Sequence, residues 1–120
     1  MCFIRKIGYN IFYTENVVDM SNIFNSCGSL KELNWNNFNT KNVKYMTSML
    51  HQCYGAINIY LDNFDTRNVA DMSYMFYHCQ SLSKLNLDDF DTSNFLYMSH
   101  IFDDCGKLTE LISNFNKKSV

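Results

Sequence analysis

The chain lacks any excess of positive charge. Lys plus Arg total 10 against 12 Asp plus Glu, for a net charge of -2 and a pI near 5.8. With no basic residues massed opposite a phosphate backbone, the balance argues against an electrostatic nucleic-acid binder. No apolar run approaches the roughly 20 residues that cross a bilayer, so no transmembrane segment is expected. A secretory leader is missing as well: Met1-Cys2-Phe3-Ile4-Arg5-Lys6 places its charge after a short apolar patch, not before a long one. Glycine totals only 4, and there is no phosphate-cradling Gly-rich loop, nucleophile elbow or zincin helix. No two cysteines have the two-residue spacing of a zinc knuckle. The chain is therefore expected to be non-enzymatic and to need no cofactor. What remains is 120 residues, 47% hydrophobic and 18% charged, enough for one small domain with a core.

A repeat organises those residues. Cys27, Cys53, Cys79 and Cys105 recur every 26 positions, and the same step joins Thr14/Thr40/Thr66/Thr92, Asn16/Asn42/Asn68/Asn94, Met20/Met46/Met72/Met98 and Phe12/Phe38/Phe64/Phe90. Further apolar columns run through Val17/Val43/Val69/Phe95, Phe24/Leu50/Phe76/Phe102 and Leu33/Ile59/Leu85/Leu111. A fixed period between about 20 and 50 residues means stacked units, each too small to bury its own apolar face. The single domain 1–120 divides into a partial unit at 1–13, repeats at 14–39, 40–65, 66–91 and 92–116, and a polar tail at 117–120.

Within a unit, the spacing predicts one short helix and one strand. Val69, Met72, Met75, Phe76 and Cys79 fall on a stripe of helical period, with Asn68 placed to cap it and Asp71 favouring its positive end, as Asn16 and Asp19 do in the first repeat. Leu85 and Leu87 then alternate with Lys84, Asn86 and Asp88, the pattern of a half-buried strand. Alternating strands and helices require parallel strands joined by crossovers. The expected fold is α/β: a leucine-rich-repeat-like solenoid of 26-residue units, with parallel strands on one face and short helices on the other. Ile4, Ile7, Tyr9 and Phe12 occupy strand and turn slots too, giving five strands and four helices.

The stretch from Thr66 to Leu82, with its core Met72-Ser73-Tyr74-Met75-Phe76-Tyr77-His78-Cys79, followed by Leu85, Leu87 and Phe90-Asp91-Thr92, resembles the BspA-type leucine-rich repeat. More closely, it is similar to the mycoplasma lipoprotein-associated branch, a domain of unknown function. Similar blocks begin at Thr14, Thr40 and Thr92; Met46-Thr47-Ser48-Met49-Leu50-His51-Gln52-Cys53 departs from the core at two positions. The resemblance implies a solenoid and, typically, a surface-exposed or extracellular protein that adheres to host or matrix partners, with the cytoplasm as the alternative location. It also implies that Phe38, Phe64 and Phe90 replace the usual ladder residue, leaving Asn16, Asn42, Asn68 and Asn94 as candidates for part of that role.

Candidate chemistry is sparse. Cys27, Cys53, Cys79 and Cys105 sit at the last apolar slot of each expected helix and read as small buried free thiols, hydrophobes rather than metal ligands, a disulfide framework or reactive groups. Cys2 is out of phase with that column, either a lipid-bearing residue by family analogy or a terminal residue without a role. His51, His78 and His100 share no column, which points to solvated surface. Asp62 stacks on Asp88 and Asp65 on Asp91, with like charges about 5 Å apart that Ca²⁺ would relieve. The simpler reading is that turn amides and the Thr column satisfy them, so no metal is expected.

Surface recognition is left. Residues alternating with the buried strand positions point outward: Glu32 and Asn34; Asn58 and Tyr60; Lys84 and Asn86; Glu110 and Ile112. They vary in size and charge from rung to rung while the buried columns repeat. Such a platform suits a protein partner. The competing expectation is a structural spacer whose bare end strands stack end to end on other chains.

Overall fold

The computed structural model describes residues 14–34, 38–61 and 64–112. The expected partial unit (Ile4, Ile7, Tyr9 and Phe12), Cys2, Asp62 and the tail at 117–120 lie outside the described residues.

Four three-residue strands appear: β1 (Glu32–Asn34), β2 (Asn58–Tyr60), β3 (Lys84–Asn86) and β4 (Glu110–Ile112). β1 pairs in parallel with β2 in the register Glu32↔Asn58, Leu33↔Ile59 and Asn34↔Tyr60. β3 pairs with β4 in the register Lys84↔Glu110, Leu85↔Leu111 and Asn86↔Ile112. A second, unbroken line of parallel bridges joins Asp19 to Tyr45, Tyr45 to Asp71 and Asp71 to Tyr97. The repeats are thus successive rungs.

The expected helices are absent among the described residues, so the α/β solenoid with a helical face is overturned. Residues 21–26, 47–52, 73–78 and 99–104 are consecutive turns instead. The backbone shows why. In the third rung the amides of Met72, Tyr74, Phe76 and His78 donate to the carbonyls of Tyr97, Ser99, Ile101 and Asp103 in the next rung, at 3.0, 3.0, 3.1 and 3.0 Å. The intervening amides of Met75, Tyr77 and Cys79 close local turns onto Met72, Tyr74 and Phe76 at 3.2, 3.2 and 3.1 Å. The first and second rungs repeat this division. A helix would need every one of these amides bonded four residues back. The chain also has positive φ at Asn22, Ser26, Ser48, Gln52, Tyr74, His78, His100 and Asp104, a conformation outside the right-handed helix. Each such residue costs about 1–2 kcal/mol, which the cross-rung bonds must offset. The chain contains no proline, so every amide is available to this ladder.

Overlapping four-residue turns return side chains to one side much as a helix does, and the apolar columns accordingly form one core. Met46, Leu50, Cys53, Met72, Phe76 and Cys79 are fully buried, with Phe64 and Phe90 stacked at 5.8 Å behind the strands. Ile59, Leu85 and Leu87 point inward from the strand side.

Candidate functional site

The strand face is built by alternation. In β2 and β3 the middle residue is buried and its neighbours are exposed, so Asn58, Tyr60, Lys84 and Asn86 stand on the outer surface over Ile59 and Leu85. Glu110 is exposed and its carboxylate lies 3.6 Å from Lys84 Nζ, a solvent-facing pair worth little by itself. In register, Glu32 pairs with Asn58, Asn34 with Tyr60 and Ile112 with Asn86. A cleft of about 140 Å³ opens here, lined by Asn58, Ile59, Tyr60, Leu61, Lys84 and Asn86.

Three polar columns tie the rungs together. Each threonine hydroxyl, at the start of a repeat, donates to the backbone carbonyl of that repeat's last residue, 25 positions on, and accepts from the same residue's amide: Thr14 with Asn39 (3.0 and 2.7 Å), Thr40 with Asp65 (3.0 and 2.9 Å) and Thr66 with Asp91 (3.0 and 2.9 Å). The carboxamides of Asn42, Asn68 and Asn94 donate to the carbonyls of Glu15, Lys41 and Arg67 one rung back. Their expected work as helix caps has no helix to serve; exposed Asn16 heads the same column. The thiols of Cys53, Cys79 and Cys105 donate to the carbonyls of Phe24, Leu50 and Phe76 at 3.1, 3.2 and 3.0 Å. Burial pushes the Cys53 thiol up to about 11 and raises Cys79 and Cys105 as well, so all three stay protonated donors. Cys27 departs from the expected free thiol. It is fully buried and disulfide-bonded.

Two of the carboxylates considered for calcium, Asp65 and Asp91, are occupied by their own turns. Asp65 accepts from the Arg67 amide at 3.2 Å and pairs with its guanidinium at 2.6 Å, which holds the carboxyl below the usual range. Asp91 accepts from the Ser93 hydroxyl and amide at 2.5 and 2.9 Å, with the same effect. Among the described residues no group of three or more His, Cys, Asp or Glu is arranged to hold a metal.

One cluster escaped the column analysis. His51 stacks on Tyr77 with centroids 4.8 Å apart, His78 meets Tyr77 edge-on at 4.0 Å and His51 at 6.2 Å, and Tyr74 stacks on His100 at 5.0 Å. Asp104 lies 3.1 Å from His78 Nδ1, and Asp103 is bonded to His100 Nδ1. His51 and His78 come together because they occupy adjacent, not identical, columns, which a search at a strict period of 26 does not detect, while His100 follows Tyr74 in one column. Burial, and then the neighbouring His78, lower the pKa of His51 from its ordinary 6.5. Its folded form therefore binds a proton less readily than its unfolded form, and its contribution to stability is lost as pH falls below about 6.5. Between pH 7 and 5, the melting temperature of the parent chain is expected to fall more steeply than that of His51→Gln. Parallel thermal melts across that range check it, and superimposable slopes would contradict it.

No helix among the described residues is long and apolar enough to cross a membrane. Comparison with curated proteins and with solved structures finds no match. A family match is found, over residues 3–59 and again over 50–120, to the family described as Mycoplasma protein of unknown function, DUF285. Two overlapping matches that between them take in nearly all of this stacked repeat mean that the chain belongs to that family.

Proposed function

We propose that the chain is a non-enzymatic protein-binding or adhesion module that presents its strand face to a partner, as part of a surface protein. The observation that carries this is the contrast across β2 and β3. The inward residues repeat as Ile59 and Leu85, while the outward ones change from Asn58 and Tyr60 to Lys84 and Asn86, with Tyr60 48% exposed. A ladder kept only for folding has no need of that outward variation. An exposed tyrosine flanked by polar groups is the kind of residue that anchors interfaces. The resemblance to BspA-type repeat proteins adds the adhesive role and the surface location. In the test, the immobilised chain and a Tyr60→Ala/Lys84→Ala double variant capture proteins from host-cell extracts. The double variant is expected to lose the captured partner while its melting temperature stays within a degree or two. An undiminished capture would place the site elsewhere.

A second reading, a spacer or assembly subunit stacking through its end strands, is favoured by the last rung. Leu111 is 43% exposed where its column-mates Ile59 and Leu85 are 7% and 1% exposed. Light scattering over a concentration series separates the two: growth in mass with concentration supports stacking, a constant monomer mass the free face.

A further inference from the structure

The strand ladder is interrupted once, and the interruption lies in the middle of the proposed binding face. Rungs two and three are held together elsewhere: Met46, Ser48, Leu50 and Gln52 donate to Asp71, Ser73, Met75 and Tyr77 at 2.9, 2.9, 2.9 and 2.7 Å, and Ala70 donates to Lys44 at 2.8 Å. Between β2 and β3, however, no backbone hydrogen bond forms among the described residues, and the strands fall into two separate pairs, β1–β2 and β3–β4. The Asn58 amide is turned toward β1, where it meets the Lys31 carbonyl at 3.3 Å. Successive residues of a strand direct their amides to alternate sides, so the Ile59 N–H and C=O face β3 across the gap, opposite those of Lys84 and Asn86. The cleft of about 140 Å³ lies at this seam, with Asn58, Tyr60, Lys84 and Asn86 around its mouth.

We infer that the seam is a subsite for one sugar ring of a glycan carried by the strand-face partner; the inference rests on the reading of that face given above. The volume suits a single six-membered ring and is well below that of a drug-sized pocket. Its rim and floor offer donors and acceptors together: the Asn58 carboxamide and the backbone groups of the seam supply both, and Asn86 adds its amide N–H groups, its Oδ1 already accepting from the Asp88 amide at 3.0 Å. A ring bearing several hydroxyls, each of which donates and accepts, matches that mixture. A carboxylate only accepts and an ammonium only donates, so either would leave half of the groups unpaired at a cost. Tyr60 adds a half-exposed aromatic face for the C–H side of the ring to lie against. A peptide strand does not fit between β2 and β3. Insertion would need about 9.6 Å between them, twice the normal strand spacing, while the turn and bridge bonds hold the same two rungs at one spacing.

The test is an amide NMR titration of the intact chain with galactose, N-acetylglucosamine, acetate and tetra-alanine. Saturable shifts at Asn58, Ile59, Tyr60, Lys84 and Asn86 are expected with at least one of the two sugars, at dissociation constants of about 1–10 mM. Tyr60→Ala is expected to weaken that binding about tenfold and Tyr60→Phe to retain it, since both keep an exposed position and only one keeps the ring. No saturable shift with either sugar, or a response at these residues only to acetate or to the peptide, overturns the inference. For the captured partner, enzymatic deglycosylation separates this idea from its parent. Capture that is lost in the Tyr60→Ala/Lys84→Ala variant yet survives deglycosylation sinks the sugar subsite and leaves the strand-face reading standing. Capture lost in both supports the two together.

Discussion

Replacing Phe76 with alanine is expected to remove about 3–5 kcal/mol of stability, out of the roughly 5–15 kcal/mol that a domain of this size possesses. Phe76 is fully buried, and its ring stacks on Phe102 of the next rung with centroids 5.8 Å apart and planes 9° from parallel. Its backbone is engaged on both sides as well, the amide with Ile101 at 3.1 Å and the carbonyl with the Cys105 thiol at 3.0 Å. Those bonds hold the backbone in place and oppose collapse of the rung into the space left by the ring, so the cavity persists and the cost lies at the upper end of the usual range. Since no single unit buries its own apolar face, the loss is felt by rungs two and four together. Phe102→Ala is the control. That ring is only half-buried in the last rung, and its removal is expected to cost clearly less. Urea unfolding of the three proteins checks this. A Phe76→Ala midpoint close to the parent's would mean that the rungs do not share a core.

Much of this spine was legible in the residue columns, because burial follows from position in the rung whatever the local backbone does. Met46, Met72, Leu50, Phe76 and Cys79 are buried in either a helix or a string of turns. For the same reason the columns misled about secondary structure. A turn of four residues and a helical turn of 3.6 bring nearly the same positions inward, so the stripe Met72, Met75, Phe76, Cys79 cannot tell them apart. What would have separated them is a residue type that demands positive φ, normally glycine. Here the two positive-φ columns hold Asn22, Ser48, Tyr74 and His100, and Ser26, Gln52, His78 and Asp104, with no glycine among them. In Asn22, Ser26, Ser48, Gln52, Tyr74 and His78 the cross-rung bonds of their own amides, visible only in three dimensions, compensate the conformation. The outward alternation at Asn58, Tyr60, Lys84 and Asn86 was readable from period two alone, but the seam beneath them was not. The strand columns of rungs two and three look as alike as those of any other pair, and the break shows only in how β2 is seated, paired with β1 and not with β3.

That seating makes Gly55→Ala the second change with a large expected effect, about 3 kcal/mol of destabilisation. A Cβ at position 55 would lie 2.3 Å from the Gly28 carbonyl oxygen and 3.4 Å from its carbon. Both are backbone atoms, so no side-chain rotation relieves the clash, and one rung has to move away from the other. Movement is resisted close by: the Ile57 amide donates to the Lys31 carbonyl at 2.9 Å, and β1–β2 pairing begins one residue later. The requirement is steric, not torsional, because no glycine among the described residues has positive φ. The other two described glycines supply the comparison. A Cβ at Gly28 would meet only the Tyr54 ring edge at 3.7 Å, and one at Gly106 nothing within 4 Å. Both alanine variants are expected to be neutral or to gain up to about 1 kcal/mol by stiffening the unfolded chain. The position aligned with Gly55 in the other rungs holds Ser29, Ser81 and Lys107, so the close approach belongs to the junction of the first two rungs. Thermal melts of Gly28→Ala, Gly55→Ala and Gly106→Ala should therefore single out the middle variant. Three indistinguishable melts would mean that β2 has room to shift against β1, and the tight seating invoked for the open seam on its other flank would be wrong.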